Sequence, residues 1–118
     1  MTKKILVTGG SGRFSKILKE KNSLLKLTFC SKNECNILSL NSINKAIKKN
    51  KPKIIMHCAG LSRPMSLHEK DINKSIDLNI IGTANLVKVC KSKNIKIIYF
   101  STGYIYEGKN GNYSEKDP

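Results

Sequence analysis

The sequence predicts an α/β fold built on a doubly wound parallel sheet, and three observations carry that reading. Short apolar, β-branched runs alternate with helix-compatible segments in units of roughly 25 to 40 residues, the pattern of parallel strands joined by right-handed crossovers. The first run, Lys4-Ile5-Leu6-Val7, passes straight into Thr8-Gly9-Gly10-Ser11-Gly12 and then into a helical stretch, Lys16 to Glu20. Small or hydroxyl residues also follow every strand: Gly9 to Ser15, Ser31-Lys32, Ala59-Gly60 and Ser101-Thr102. In open parallel sheets, ligands gather at those carboxyl ends.

The glycine turn comes first in the chain and carries the most chemistry. Glycines let the backbone turn sharply and approach a diphosphate with no Cβ in the way, while unpaired N–H groups at the helix start point at the anion. Read as G-x-G-x-x-G, the match is Gly10, Gly12 and then Ser15, a small third residue that permits close helix-to-strand packing. The second strand runs from Leu24 to Cys30 and ends in Ser31-Lys32. NAD sites place an acid near this point for the ribose 2′-OH, and a basic residue there suits a 2′-phosphate. Ser31 and Lys32, with Arg13 inside the glycine turn, favour NADP, with NAD as the alternative.

Asn36-Ile37-Leu38 reads as a short extended piece, and Ser39 as the N-cap of a helix with Leu40, Ile43, Ala46 and Ile47 on one face, ended by Lys51-Pro52. Lys53 to Gly60 is an almost continuous apolar run, as expected for a strand covered on both faces. His57 within it is read as a hydrogen-bonded histidine of the core or of the cofactor's surroundings. The irregular loop Leu61 to Asp71 either borders a ligand or is a plain connection. The longest helix is expected from about Ile72 to Lys93, with Ile76, Ile80, Ala84, Val87 and Cys90 at helical spacing and Asn94 ending it. Asn79 and Gly82 break its local preference, the glycine at a cost of about 1 kcal/mol, and such costs mark close packing or a site. Ile95 to Phe100 gives the fourth strand, and residues 105 to 118 are polar without periodicity.

At 118 residues the chain fits one domain, residues 1–118. It has no run of about 18 apolar residues and no signal-peptide pattern, so the expectation is a cytoplasmic protein without a membrane partner. Four cysteines, Cys30, Cys35, Cys58 and Cys90, show neither a C-x-x-C pair nor zinc-site spacing, so no metal is expected and the thiols read as buried and free. The 22 basic against 8 acidic residues leave +14. That charge is nearly all lysine, spread over every element with few aromatics to stack bases, so specific nucleic-acid binding is not expected.

Taken in order, these pieces resemble the extended short-chain dehydrogenase/reductase superfamily, whose Thr-Gly-x-x-Gly-x-x-Gly turn is matched by Thr8-Gly9-Gly10-Ser11-Gly12-Arg13-Phe14-Ser15. Within it they are most similar to dTDP-4-dehydrorhamnose reductases and related sugar-nucleotide reductases. The supporting segments are Asn36-Ile37, His57-Cys58-Ala59-Gly60, Asn79-Ile80-Ile81-Gly82-Thr83, Tyr99 through Gly108, and Tyr113-Ser114-Glu115. The resemblance implies a Rossmann-type fold and NADP-dependent reduction of a nucleotide-linked 4-keto sugar. Gly9, Gly12, Arg13 and Phe14 would hold the pyrophosphate, Ser31 and Lys32 the adenosine ribose or its phosphate, and Asn36 and Ile37 the adenine. Ala59, Gly60 and Leu61 would face the nicotinamide. Thr102 would match the catalytic hydroxyl, with Gly103 and Tyr104 beside the substrate. Tyr104 has a second reading, packing against the sheet edge. A homodimer of the full-length protein is compatible with the resemblance.

One departure matters more than the matches. The family's proton-shuttling Tyr-x-x-x-Lys pair is absent, because Tyr99, Tyr104, Tyr106 and Tyr113 have Gly103, Gly108, Asn110 and Asp117 four residues on. In the family that pair follows a Glu-x-x-Pro segment like Glu115-Lys116-Asp117-Pro118. The expectation is therefore an N-terminal portion of a longer reductase, with about four strands, that binds cofactor without turnover and exposes an apolar sheet edge. The alternatives are a fragment of a sugar-nucleotide epimerase or dehydratase, and a non-catalytic NADP(H)-sensing module. Gly103, where rhamnose reductases often carry Asp, and Ser15 for Gly weaken the substrate assignment more than the fold.

Overall fold

All four expected strands form in the computed structural model, which describes residues 3–117. They are β1 (Ile5–Thr8), β2 (Leu27–Cys30), β3 (Ile54–His57) and β4 (Lys96–Tyr99), all parallel, in the order β2-β1-β3-β4. Pro118, the last residue of the Glu-x-x-Pro segment, lies outside the described residues. β1 runs in register with both neighbours, Thr8 opposite Cys30 on one side and His57 on the other. The chain steps one way from β1 to β2 and back the other way to β3 and β4. Right-handed crossovers therefore put α1 (Arg13–Lys21) on one face and both α2 (Leu40–Asn50) and α5 (Gly82–Ser92) on the other.

The core confirms this placement. Leu6 and Ile55 of the central strands join Ile43, Ala46 and Ile47 of α2 and Leu86, Val89 and Cys90 of α5 in one buried cluster. Ser39 caps α2 by accepting a hydrogen bond from the Ser42 N–H, and Lys51, in a left-handed conformation, ends it. Leu40, expected on the buried face, is about half exposed at the first position of the helix, while Ile43, Ala46 and Ile47 are buried. β2 is shorter than expected. Leu24 is exposed and precedes the strand, since Asn22 and Leu25 bond each other in a local turn.

The largest difference lies in the expected long helix. The loop after β3 already contains a helical turn, α3 (Ser66–Lys70), followed by α4 (Ile72–Ile76), a π-helical turn at Asp77–Ile81, and then α5. The π-turn inserts one extra residue and rotates the helix phase by about 100°. Neither α4 nor the π-turn buries a residue, and Ile76, Ile80, Ala84 and Val87 are exposed, while Gly82, Leu86, Val89 and Cys90 are buried. Of the stripe expected from spacing, Cys90 alone is in the core. Asn94 ends α5 with φ +52°. At the sheet's far side β4 is an edge strand with Tyr99 and neighbouring Phe100 about half exposed, the apolar edge foreseen in the sequence. Cys30, Cys35 and Cys90 are buried free thiols, and Cys58 is partly buried.

Gly82 has a packing reason. A Cβ there would stand 2.5 Å from Cδ1 and 2.7 Å from Cγ1 of buried Ile37. Gly82→Ala therefore gains helix propensity of about 1 kcal/mol but overlaps Ile37, and a net loss of about 1 to 2 kcal/mol is expected in urea unfolding. Ile37→Val removes Cδ1, so the double variant should be more stable than the sum of the two single losses. Strict additivity would contradict the contact.

Candidate functional site

At the end of β1, two adjacent glycines are fixed by their neighbours. Gly9 has φ +67°, and a Cβ on it would lie 2.8 Å from the Ala59 backbone; one on Gly10 would lie 2.8 Å from the Cys30 nitrogen. Gly10 N–H also donates to the Cys30 carbonyl at 2.7 Å, tying the turn to β2. Gly10, the first glycine of the G-x-G-x-x-G reading, is thus closed off by a strand neighbour. Gly12 differs: the one nearby atom its Cβ would meet is the Gly9 oxygen, at 3.1 Å. It is the N-cap of α1, supplies no side-chain cap, and leaves the first-turn amides of Arg13, Phe14 and Ser15 without intrahelical acceptors. Those amides form a site for an anion. Ser15 is buried, which lets α1 approach the sheet closely, and its hydroxyl has no hydrogen-bond partner among the described residues.

A chain of hydroxyl and imidazole groups joins the strand tips behind this turn. Thr8 Oγ1 accepts from the N–H groups of Cys58 and Ala59, both at 3.2 Å, so its own proton goes to His57 Nδ1 at 2.9 Å. Thr83 Oγ1 donates to the Asn79 carbonyl at 2.9 Å and therefore accepts from His57 Nε2 at 3.0 Å. The committed hydroxyl protons assign the Nε2–H tautomer, a neutral imidazole. Burial lowers the His57 pKa to about 4. Asn79 extends the chain: its side chain accepts from Leu61 N–H and donates to Leu61 C=O, both at 2.8 Å. The π-turn that carries Asn79 thus holds the Ala59-Gly60-Leu61 corner on both its polar groups.

That corner opens on a cavity of about 810 Å³ bordered by Phe14, Leu61, His68, Phe100, Thr102 and Tyr104. The Phe14 and Phe100 rings meet at 4.9 Å, linking α1 to the end of β4. His68 accepts or donates at 2.6 Å with Ser75, fixing α3 against α4. Thr102 Oγ1 accepts from Tyr104 N–H at 3.2 Å, which leaves its own proton free to donate. Tyr104 is 90% exposed, so it does not pack on the sheet. Gly103 begins a 3-10 turn, Gly103–Ile105.

The structure therefore brings Phe14, Ala59, Gly60, Leu61, Thr102 and Tyr104 to one cavity, whereas Gly9, Gly12 and Arg13 precede Phe14 in the turn and do not line it. Ser31, Lys32, Asn36 and Ile37 lie apart, around the end of β2. There Ser31 donates both its N–H and its hydroxyl to the Glu34 carboxylate, at 2.8 and 2.9 Å. Those two bonds, with Lys49 nearby, hold Glu34 below the usual carboxylate range. Asn36 accepts from Leu38 N–H, and Ile37 is in the core, its carbonyl taking the Asn85 amide. Both therefore have structural tasks. Sequence reasoning missed Glu34, although Ser31-x-x-Glu34 has capping-box spacing. It also missed Phe100 and the Thr83 partner of His57, which no local spacing signals, whereas His68 belongs to the Leu61–Asp71 loop read as a candidate ligand border and does line the cavity. No cluster of His, Cys, Asp or Glu able to hold a metal exists among the described residues.

A family profile described as RmlD substrate binding domain matches residues 3–118. The chain belongs to this family. Among relatives of this RmlD-family chain, methionine adenosyltransferase 2 subunit beta of Danio rerio is 31% identical over 124 residues, covering 98% of the chain and 38% of that protein. The dTDP-4-keto-6-deoxy-D-glucose reductase of Streptomyces niveus is 24% identical over 112 residues, covering 92% of the chain and 38% of that protein. In structure, dTDP-4-dehydrorhamnose reductase from Bacillus anthracis, solved in complex with NADP, superposes with a TM-score of 0.81 at 24% identity, over 92% of this chain and 39% of that one. The RmlD-family chain thus spans less than two-fifths of the length of these relatives and has the Rossmann-type fold of the solved structure. No helix among its described residues is long and apolar enough to cross a membrane.

The neutral His57 makes stability pH-dependent with a defined sign. Its folded pKa of about 4 lies below the ordinary 6.5, so between these values the unfolded chain binds a proton that the folded chain excludes. The stabilisation is complete above pH 6.5 and is lost as pH falls toward 4. His57→Gln should flatten the fall of the unfolding midpoint across this window, measured in urea at successive pH values. An unchanged slope would contradict the assignment.

Proposed function

We propose that residues 1–118 form the dinucleotide-binding part of an NADP-dependent reductase acting on a nucleotide-linked 4-keto sugar. The observation that carries this reading is the uncapped first turn of α1, whose free amides stand beside the 810 Å³ cavity at the carboxyl ends of the strands. The residues fit a dinucleotide. Gly12 leaves the amide face bare, Arg13 and Phe14 offer main-chain donors, and the Asn79-held corner Ala59-Gly60-Leu61 gives a rigid wall for the nicotinamide side. Exposed Lys32 at the end of β2 is the group for a 2′-phosphate, with Ser31 beside it held by Glu34 and Asn36-Ile37 bounding the adenine. The NADP complex of the Bacillus anthracis reductase supports the same choice.

When bound, the cofactor supplies the hydride. Thr102 accepts from Tyr104 N–H and keeps its proton for a substrate carbonyl or alcohol, with Gly103 and Tyr104 flanking it. These 118 residues contain no Tyr-x-x-x-Lys pair, so they bind without completing proton transfer. A second reading, a non-catalytic NADP(H)-sensing module, is favoured by the 31% identity to a protein named as a subunit of methionine adenosyltransferase 2.

Fluorescence titration tests the shared cofactor claim. NADPH is expected to bind more tightly than NADH, and Lys32→Glu to weaken NADPH about tenfold while moving NADH less than about twofold. Gly12→Asp places a carboxylate where the diphosphate would lie, so it should abolish binding with little change in the thermal midpoint. Undiminished binding by this variant would remove the glycine turn from the site.

A further inference from the structure

The opposite end of the sheet carries a second cavity, of about 980 Å³, whose lining includes Lys3, Lys4, Lys26, Lys51, Lys53 and Lys96 and no carboxylate. Its arrangement follows from strand register. Ile5 pairs with Leu27 on one side and Ile54 on the other, so Lys4, Lys26 and Lys53, each one residue earlier, form a single row across three adjacent strands. The backbone bonds agree: Ile5 N–H donates to Lys26 C=O, and Lys53 N–H to Lys4 C=O. On β4 the row position is Ile95, because Lys96 pairs with Ile54 and stands one residue further along, where its N–H donates to Lys53 C=O. Like charges on neighbouring strands, about 4.8 Å apart, destabilise a sheet. All six lysines are exposed, and the one ion pair among the described residues, Lys109 with Glu107, involves none of them. Complementing a helix C-terminus accounts for Lys51 after α2, but not for lysines at the starts of β1, β2, β3 and β4.

We propose that this row is a docking surface for an acidic, extended segment of a protein partner. Half-buried Ile95 takes the row's place on β4 and, with Ile54, gives the cavity an apolar floor. Carboxylates alternating with apolar side chains match that pattern, the acids meeting ammonium groups and the apolar groups meeting the floor. The row spans about 14 Å, the length of about four residues of extended chain. Nucleic acid fits less well, because the lining has no aromatic ring to stack a base and no arginine to make a bidentate contact. The surface is at the amino ends of the strands, so a partner seated here leaves the glycine turn open. The proposal is independent of the cofactor reading.

Fluorescence anisotropy of the full chain with a dye-labelled peptide of alternating glutamate and isoleucine tests it, with a dye-labelled oligothymidylate of equal charge alongside. The peptide is expected to bind more tightly than the oligothymidylate. Lys26→Glu with Lys53→Glu should weaken the peptide at least about tenfold, whereas Lys45→Glu with Lys88→Glu, the same change in net charge on exposed helical positions, should change it less than about twofold. Reversal places opposite charges beside Lys4, so this variant should melt no lower than the native chain. Lys26→Gln with Lys53→Gln, read in the same assay, gives a second loss of binding without charge reversal. Absence of peptide binding, equal losses in the row and control variants, or tighter binding of the oligothymidylate would each overturn the proposal.

Discussion

The exit of β1 has no room for a side chain on either flank. Gly9 is pressed against the Ala59 backbone of the strand on one side and Gly10 against the Cys30 backbone on the other, each with space for a hydrogen where a methyl would need 2.8 Å contacts to relax. This double approach fixes the tip of the central strand between its neighbours and delivers the chain to Gly12 in the orientation that starts α1. The glycines therefore have divided tasks. Two satisfy the protein's own backbone, and the third leaves helix amides uncovered.

What the glycines bring close, polar groups then bind together. Thr8 serves as acceptor for two amides of the β3 exit and as donor to His57, and His57 reaches Thr83 on the helix beyond. Each bond has a defined direction, and each buried group is satisfied by its neighbours, so loss of one member leaves others unpaired in a low-dielectric setting. The Asn79 clamp on Leu61 extends the same order into the cavity wall. A site assembled this way sits on strand ends and a helix turn, not on a free loop.

Much of this was legible in the sequence, for identifiable reasons. β-branched runs ending in glycine, Ser39 before an amphipathic stretch, and Lys51-Pro52 or Asn94 after one are local signals, and each marks an element boundary within a few residues. The parallel order followed from alternation alone. Helix phase did not follow. The spacing of Ile76, Ile80, Ala84 and Val87 suits a buried stripe, but α4 and the π-turn bury no residue and α5 turns Leu86 and Val89 inward instead. Asn79 and Gly82 stood out as misfits, and both belong to that irregularity. Contacts between distant segments, such as Phe14 with Phe100 and His57 with Thr83, leave no trace in local spacing. Glu34 did leave one, because Ser31 and Glu34 are three apart.

The π-turn also sets a rule about length. Along most of a surface helix, loss of a residue is absorbed by sliding and rewinding. Between Asp77 and Ile81 the shorter segment would be a regular helix and locally more comfortable, yet it would swing Asn79 about 100° around the axis and away from Leu61. This stretch can therefore drift in residue type far more freely than in residue number, and a gap opening there in a lineage would signal that the corner beneath it no longer serves its purpose.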